Sequence, residues 1–199
     1  MISDNESITK SELRRSKLAE RDALPPELRD AYSKIIQEQV LTLISALPTG
    51  CIHAYISFRS EVKTYMLIEK LLETGREIVV PYIVSNGEKM MHHSIISDLK
   101  NIHPGVYGVP EPSETQEADL SQFHAVLVPL CAFDGYGHRL GYGKGYYDIF
   151  LSSLPKEVKK IGLAFSMQEV ERIPAEKHDT RLNMIVTEQG IIHASEDSV

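Results

Sequence analysis

The segment Gly135–Asp148 has the residue types that bind phosphate groups, and it follows a strongly apolar run, His124–Leu130. It contains five glycines together with the cations Arg139 and Lys144. Because glycine has no Cβ, its backbone N–H groups can approach an anion closely. A helix that follows the segment would add the partial positive charge of its N-terminus. The segment therefore predicts a binding site for the phosphates of a nucleotide.

The glycine spacing differs from the standard nucleotide-binding fingerprints. The run Gly141–Gly145 is not G-x-G-x-x-G, and Lys144 is followed by glycine instead of the Ser or Thr that holds Mg²⁺ in a P-loop. The alternative interpretation is a flexible surface connection. Such linkers seldom follow a buried strand and enclose two cations, so phosphate binding is favoured. There is no G-x-S-x-G nucleophile elbow in the sequence, so serine hydrolysis has no support.

The pattern around this segment predicts alternating helices and strands. Helices are expected at Thr9–Ala23, from Pro26 to the Pro48–Gly50 stop, at Thr64–Thr74 and at Gly145–Leu154. Strands are expected at Cys51–Phe58, Glu77–Ile83, Lys89–Ile96, His124–Leu130, Lys160–Phe165, Asn183–Thr187 and Gly190–His193. The segment His103–Gln122 is expected to be an irregular surface connection.

This alternation predicts an α/β fold, a single three-layer domain over residues 1–199 with a mostly parallel sheet covered by helices on both faces. Ligands bind such sheets outside the carboxyl ends of the strands. The positions that follow strands are therefore the ones to search for a site. They are Ser57–Glu61, Cys131–Gly145 and the residues from Ser166 onwards.

The composition limits the classes of partner. The formal net charge of -7 argues against a general nucleic-acid coat, which needs a basic face, but it allows anionic small molecules. The apolar runs are too short to span a bilayer, and the first ten residues have no signal-peptide core. Cys51 and Cys131 lie in apolar runs, which indicates buried thiols in a reducing compartment. We expect a cytoplasmic monomer with no nucleic-acid or membrane partner.

The run FDGYGHRLGYGKGYYD, Phe133–Asp148, resembles the signature of the 5-formyltetrahydrofolate cyclo-ligase family, also called 5,10-methenyltetrahydrofolate synthetases. The resemblance extends over nearly the whole chain. Its further segments are Lys10–Arg14, Tyr55–Thr64, Gly108–Pro112, Ala164–Gln168, Ile173–Pro174, His178–Asp179 and Ile185–Glu188. After the YYD triplet many family members have Arg, whereas this chain has Ile149, which weakens the case for an additional cation there.

The resemblance implies an α/β fold and an ATP-dependent ring closure. The reaction would convert 5-formyltetrahydrofolate to 5,10-methenyltetrahydrofolate and release ADP and phosphate. The implied intermediate is a phosphorylated formyl group, an iminium phosphate. The implied cofactor is Mg²⁺, and the implied partners are ATP and the folate.

The resemblance also implies roles for individual residues. Lys144 and Arg139 would be catalytic, and Asp148 and Asp179 would be Mg²⁺ ligands. The implied ATP-binding residues are Lys10, Ser11, Glu12, Leu13, Arg14, Arg139, Leu140, Gly141, Tyr142, Gly143, Lys144, Gly145, Tyr146 and Tyr147. The implied substrate-binding residues are Ile56, Glu61, Tyr142, Gly143, Lys144, Gly145 and Tyr146.

Plainer interpretations exist for several of these residues. Lys10 and Arg14, four residues apart on a helix, would by themselves indicate a solvated basic face. Asp148 could complement a helix dipole, Asp179 could be a turn residue, and Glu61 could be a surface residue at a strand end. The residues alone leave these alternatives open.

Two other functions compete with the cyclo-ligase. One is a non-catalytic folate- or nucleotide-binding protein on the same scaffold. The presence of Arg139 and Lys144 with the implied metal ligands Asp148 and Asp179 argues against it, because a protein that only binds need not keep metal ligands. The other is an anion-handling enzyme such as a sugar-phosphate isomerase, because a fold alone does not determine function. An isomerase would need no nucleotide-contacting segment such as Lys10–Arg14. No metal-ligand spacing is shown by His92, His93, His103 and His124, and a structural role is expected for them.

Overall fold

The structure is a computed structural model, and it describes residues 9–84, 90–174, 176 and 179–195. The helices are α1 (Lys10–Asp22), α2 (Pro26–Ser45), α3 (Tyr65–Glu73) and α4 (Tyr146–Ser153). The strands are β1 (Cys51–His53), β2 (Ile78–Tyr82), β3 (His92–Ile96), β4 (Ile102–Pro104), β5 (Pro110–Pro112), β6 (Phe123–Pro129), β7 (Ala132–Phe133), β8 (Arg139–Leu140), β9 (Lys159–Leu163), β10 (Met184–Thr187) and β11 (Gly190–His193).

A seven-stranded sheet forms the middle layer, in the order β11-β10-β9-β6-β1-β2-β3. The five inner strands are parallel to one another, and the two edge strands, β3 and β11, pair antiparallel with β2 and β10. The predicted α/β class with a mostly parallel sheet is therefore confirmed. Strand β6 lies at the centre, and the Gly-rich segment follows its carboxyl end.

Alternate residues of the buried strands pack into two different cores. In β6, Ala125 and Leu127 belong to the core that contains the buried side chains of α2 and α3. Val126 and Val128 belong to the core on the other face, with Phe150 and neighbouring residues of α4. Since strand side chains alternate between faces, helices must cover both sides of a sheet this apolar. In the described part of the chain, no helix is both long and apolar enough to span a bilayer.

The helix signals read from the sequence are confirmed. Thr9 caps α1: its side-chain oxygen accepts from the Glu12 N–H at 3.2 Å, and the Glu12 carboxylate accepts from the Thr9 N–H at 3.0 Å. Pro26 is the first residue of α2, as expected for a residue that lacks a free N–H. Burial raises the pKa of Cys51 to about 12 and that of Cys131 to about 11, so both thiols stay protonated and unreactive near neutral pH.

The predicted strand Cys51–Phe58 is too long, because β1 ends at His53. Beyond it the chain forms a loop that Thr64 holds. The Thr64 hydroxyl donates to the Tyr55 carbonyl at 2.7 Å and accepts from the Ser57 N–H at 3.0 Å. These local hydrogen bonds replace the bonds between strands that would extend β1. The loop places Glu61 beyond the carboxyl end of β1.

The prediction of an irregular connection over His103–Gln122 is wrong in part. It overlooked β4 and β5, which pair antiparallel with Ile102 opposite Pro112. The strands are only three residues long, and β5 has two prolines, so neither periodicity nor propensity indicates them. The carboxylate of Glu111 accepts from the Ile83 N–H at 3.2 Å and ties this hairpin to the chain after β2.

The Gly-rich segment is a short hairpin in its first half rather than an open loop. Strands β7 and β8 pair, and buried Asp134 stabilises the turn between them. Its carboxylate accepts from the N–H groups of Tyr136 and His138, each at 3.0 Å. Gly137 has φ 84°, and a Cβ there would lie 2.6 Å from the Leu182 carbonyl oxygen, so glycine is required for a structural reason.

Candidate functional site

A cavity of about 600 Å³ opens at the carboxyl ends of β1, β2 and β6. This is the edge of the sheet at which the sequence predicts a ligand. The predicted site residues that line it are Lys10, Arg14, Ile56, Glu61, Arg139, Leu140, Gly141, Tyr142, Gly143, Lys144, Gly145, Tyr146, Tyr147, Asp148 and Asp179. The chain therefore brings residues that are far apart in sequence to one place, while Gly135–His138 serve the hairpin turn.

Ser11, Glu12 and Leu13 do not line this cavity. Ser11 is exposed, and Glu12 forms the capping box with Thr9. Leu13 packs against a small cluster that contains Ala132. Their assignment as ATP-binding residues stays a prediction.

One face of α1 points a stripe of cations into the protein. Lys10, Arg14, Lys17 and Arg21 are spaced four, three and four residues apart, which places them on the same side of the helix. The Arg14 Nε donates to the Gly141 carbonyl at 2.7 Å, and the Lys17 ammonium donates to the Met167 carbonyl at 2.8 Å. The plainer interpretation, a solvated basic face, is wrong for this stripe.

The second half of the Gly-rich segment forms one wall of the cavity against α1. Gly143 has φ 83°, and a Cβ there would lie 3.2 Å from the Arg14 guanidinium carbon. Glycine thus allows the backbone to approach this cation closely. Gly145 is the N-cap of α4 and has no side chain to cap the helix, so the first N–H groups of α4 are available to an anion in the cavity.

Two ion pairs lie in the cavity wall. Arg139 Nη2 is 2.7 Å from Asp148 Oδ1, and Lys10 Nζ is 2.8 Å from Asp179 Oδ2. Burial lowers the pKa of Arg139, although Asp148 opposes that shift. For Lys10, burial also lowers the pKa, but hydrogen bonds to Asp179 and Glu176 outweigh it and the net pKa is raised. Both cations therefore stay charged at neutral pH.

The carboxylates of Asp148 and Asp179 also fit a cation that binds with phosphate. Both line the same cavity, and carboxylate oxygens are the ligands that Mg²⁺ prefers. Within the described ranges, no group of three or more His, Cys, Asp or Glu side chains could hold a metal ion. A cation at these two aspartates would therefore take most of its ligands from phosphates and water. His178, next to Asp179, lies outside the described residues.

Lys144 extends from the Gly-rich wall toward the β4–β5 hairpin. Its ammonium lies 4.9 Å from the centre of the Tyr107 ring, a cation–π contact. The side chain is exposed and has no ion pair among the described residues. It is therefore a cation at the cavity whose charge a ligand can use.

The loop after β1 contributes Ile56 and Glu61 to the cavity lining. The two Glu61 carboxylate oxygens accept from the Tyr142 hydroxyl at 2.6 Å and from the Phe58 N–H at 2.8 Å. Burial raises the pKa of Glu61, while the Tyr142 and Phe58 bonds and the Arg21 charge oppose the rise. The Tyr142 hydroxyl is inside this network, although 42% of the residue is exposed.

Sequence reasoning missed several residues of the cavity wall. Tyr107 has φ 62° and 59% exposure, unusual values for an aromatic residue, and it lies at the mouth of the cavity. Its neighbours Gly105 and Gly108 were a signal of a turn that presents it. Arg59, also at positive φ, lines the cavity with its guanidinium 4.9 Å from the Phe58 ring centre.

Known proteins resemble this chain over most of its length. The family model described as the 5-formyltetrahydrofolate cyclo-ligase family matches residues 6–188. A relative from Saccharomyces cerevisiae, named 5-formyltetrahydrofolate cyclo-ligase, is 32% identical over 93% of this chain and 98% of its own length. The Escherichia coli protein of the same name is 29% identical over 84% of this chain and 93% of its own length.

A solved structure shows the same arrangement. The NMR structure of Aquifex aeolicus 5,10-methenyltetrahydrofolate synthetase has a TM-score of 0.82 to this chain at 27% identity, over 96% of both chains. The match confirms the α/β fold, and the family model confirms the resemblance read from Phe133–Asp148. The chain belongs to the 5-formyltetrahydrofolate cyclo-ligase family and is a ligase of one-carbon folate metabolism.

Proposed function

We propose that this protein converts 5-formyltetrahydrofolate and ATP to 5,10-methenyltetrahydrofolate, ADP and phosphate. One observation carries the proposal. A single cavity joins a cationic, glycine-rich wall suited to polyphosphate with a wall, Ile56 and Glu61, suited to a planar heterocycle that has N–H donors. Family membership agrees with this pairing of ligands.

The first step would be phosphoryl transfer to the formyl oxygen. The oxygen attacks the γ-phosphorus of ATP, the bond to the β–γ bridging oxygen breaks, and ADP leaves. Catalysis of such transfers is mostly positioning and charge stabilisation. Arg14, the N–H groups at the start of α4 and Lys144 line the side of the cavity where the phosphates would lie. Lys144 would stabilise the charge that passes to the formyl oxygen.

The second step would close the ring. The other folate nitrogen attacks the formyl carbon, phosphate leaves with the original formyl oxygen, and that nitrogen loses its proton. The product is the methenyl cation. Tyr142 and Tyr146 belong to the Gly-rich wall of the cavity. They would position the folate so that its attacking nitrogen faces the activated carbon.

Asp148 and Asp179 would hold Mg²⁺ beside the phosphates. When bound, the ion supplies positive charge that neutralises the phosphate oxygens during transfer. Arg139 would fix the orientation of the Asp148 carboxylate, because its Nη2 lies 2.7 Å from Asp148 Oδ1. Of the remaining ATP-binding assignments, Lys10 and Leu140 also line this cavity, where they would contribute a cation and a backbone group.

We further infer that the protein works as a cytoplasmic monomer on small molecules alone. The cavity is formed within one chain, the net charge is -7, and the buried thiols suit a reducing compartment.

The test is the near-ultraviolet absorbance of the methenyl product when protein, MgATP and 5-formyltetrahydrofolate are mixed. We expect an increase that requires both ATP and Mg²⁺ and that stops when EDTA is added. An absent increase would overturn the proposal. If both ligands still bound without turnover, the non-catalytic binding protein would be the better description.

A further inference from the structure

Arg21 is a buried cation that the proposed chemistry does not use. Only 2% of its surface is exposed, although it belongs to the last turn of a helix whose other residues are all partly or fully exposed. A guanidinium this deep needs several partners, because an unpaired buried charge is costly. Its Nε donates to the Ser60 hydroxyl at 3.0 Å, its Nη1 to the Leu130 carbonyl at 3.2 Å and its Nη2 to the Tyr142 hydroxyl at 2.9 Å.

These partners determine the direction of the hydrogen bonds around Glu61. A guanidinium only donates, so the Tyr142 oxygen must accept from Arg21. The single hydrogen of the Tyr142 hydroxyl is then directed to Glu61 Oε1 at 2.6 Å. The Phe58 N–H donates to the other Glu61 oxygen at 2.8 Å. Both oxygens of Glu61 therefore receive donors from the protein, which is the arrangement of an ionised carboxylate.

We propose that Arg21 is a positioning residue for folate recognition, which acts through Tyr142 to hold Glu61 as an acceptor that faces the cavity. The site then selects a ligand that presents adjacent N–H donors, such as the amino-pyrimidinone edge of a pterin. A ligand with acceptors at that edge would face two carboxylate oxygens and be rejected. The inference rests on the proposed function, in which Glu61 contacts the folate.

The charges around Glu61 make this role measurable as a pH dependence. The ionisable groups that face it are Arg21 from α1, Tyr55 from the loop after β1, Cys131 after β6, Tyr142 from the Gly-rich wall and Tyr147 from α4. Burial raises the pKa of the four neutral groups among these, so Arg21 is the only cation in the set. Loss of its charge should raise the pKa of Glu61 further, and the acceptor would then be protonated at a higher pH.

The experiment measures 5-formyltetrahydrofolate binding by calorimetry without ATP, from mildly acidic to neutral pH. For wild-type protein, affinity should fall as the pH decreases through the pKa of Glu61. For Arg21→Met, we expect affinity at neutral pH to fall by roughly tenfold or more, with the acidic loss shifted to higher pH. Arg21→Lys keeps the charge but has one nitrogen in place of the three that donate to Ser60, Leu130 and Tyr142. Its affinity should therefore fall, though less than that of Arg21→Met, while the acidic loss should stay near its wild-type position. In turnover assays the KM for folate should increase, whereas the KM for ATP should not change.

Ser60→Ala is the matched control, because it removes one partner of Arg21 and leaves the contacts through Tyr142 to Glu61. It should bind folate with near-wild-type affinity and pH dependence. A folded Arg21→Met protein with wild-type affinity and pH dependence would overturn the inference, and so would equal losses of folate and ATP affinity. If Arg21→Met does not fold, the test uses Arg21→Lys and Glu61→Gln. Unchanged folate affinity in Arg21→Lys, together with a clear loss of affinity in Glu61→Gln, would then overturn the inference. Wild-type protein that binds no folate would instead contradict the proposed function.

Discussion

Replacing Lys144 by alanine is expected to lower kcat by about 10²–10³-fold, the effect of removing one donor that stabilises transition-state charge. The side chain belongs to the Gly-rich wall and makes a cation–π contact with Tyr107, at 4.9 Å from the ring centre. Such exposed contacts are worth about 0.5–1 kcal/mol, so its loss cannot unfold the domain. The measurement is steady-state formation of the methenyl product, together with a thermal unfolding curve.

The division of the effect between kcat and KM tests the role of the Lys144 charge. A cation that acts on charge developing in transfer should change kcat more than the KM for ATP. Lys144→Arg should recover part of the rate, since it keeps the charge but not the reach of the ammonium. Lys156→Ala, at an exposed lysine outside the cavity, is the matched control and should be normal. A normal rate in Lys144→Ala would remove the catalytic role assigned to this residue.

The layers of the fold could be predicted because the strands are apolar on both faces. Runs such as Ile78–Tyr82 and Phe123–Pro129 can only be buried between helices, and their alternation with helices indicates parallel pairing. The limits of β1 could not be predicted. The residues after His53 are as apolar as the strand itself, so composition does not mark its end. The loop that follows is held by hydrogen bonds of Thr64 with Tyr55 and Ser57, and no turn signal in the sequence indicates them.

The Gly-rich segment shows where local composition misleads. Its glycines look equivalent in the sequence, yet Gly137 is required by a turn packed against Leu182, whereas Gly143 lies against Arg14 in the cavity wall. What separates them is tertiary contact with distant parts of the chain. The resemblance placed the cavity residues from Arg139 onwards, because a family motif includes information that spacing alone lacks.

The spacing of the cations in helix α1 is a sequence signal of its inward face. Lys10, Arg14, Lys17 and Arg21 follow the spacing that apolar residues normally have when a helix packs on a core. Their pattern therefore indicated an inward face, although the residue type suggested solvent. What the pattern could not supply is the set of partners, such as the Tyr142 hydroxyl and the Asp179 carboxylate, which come from the other end of the sequence.

Replacing Asp148 by asparagine is expected to raise the Mg²⁺ concentration for half-maximal activity by roughly tenfold or more. Asparagine has the same shape, and its amide oxygen can still accept from Arg139 Nη2, which lies 2.7 Å from Asp148 Oδ1. The substitution therefore removes mainly the charge that would attract the cation. Activity should recover at high Mg²⁺, and the measurement is an Mg²⁺ titration at fixed ATP.

The same titration separates metal binding from the ion pair with Arg139. If Asp148 only neutralised that guanidinium, the maximal rate would fall and no Mg²⁺ concentration would restore it. Asp179→Asn should shift the titration in the same direction, and in the double variant the two shifts should not add if both carboxylates bind one ion. Asp98→Asn, at a surface carboxylate outside the cavity, should leave the curve unchanged. An unshifted curve for Asp148→Asn would contradict metal ligation at this position.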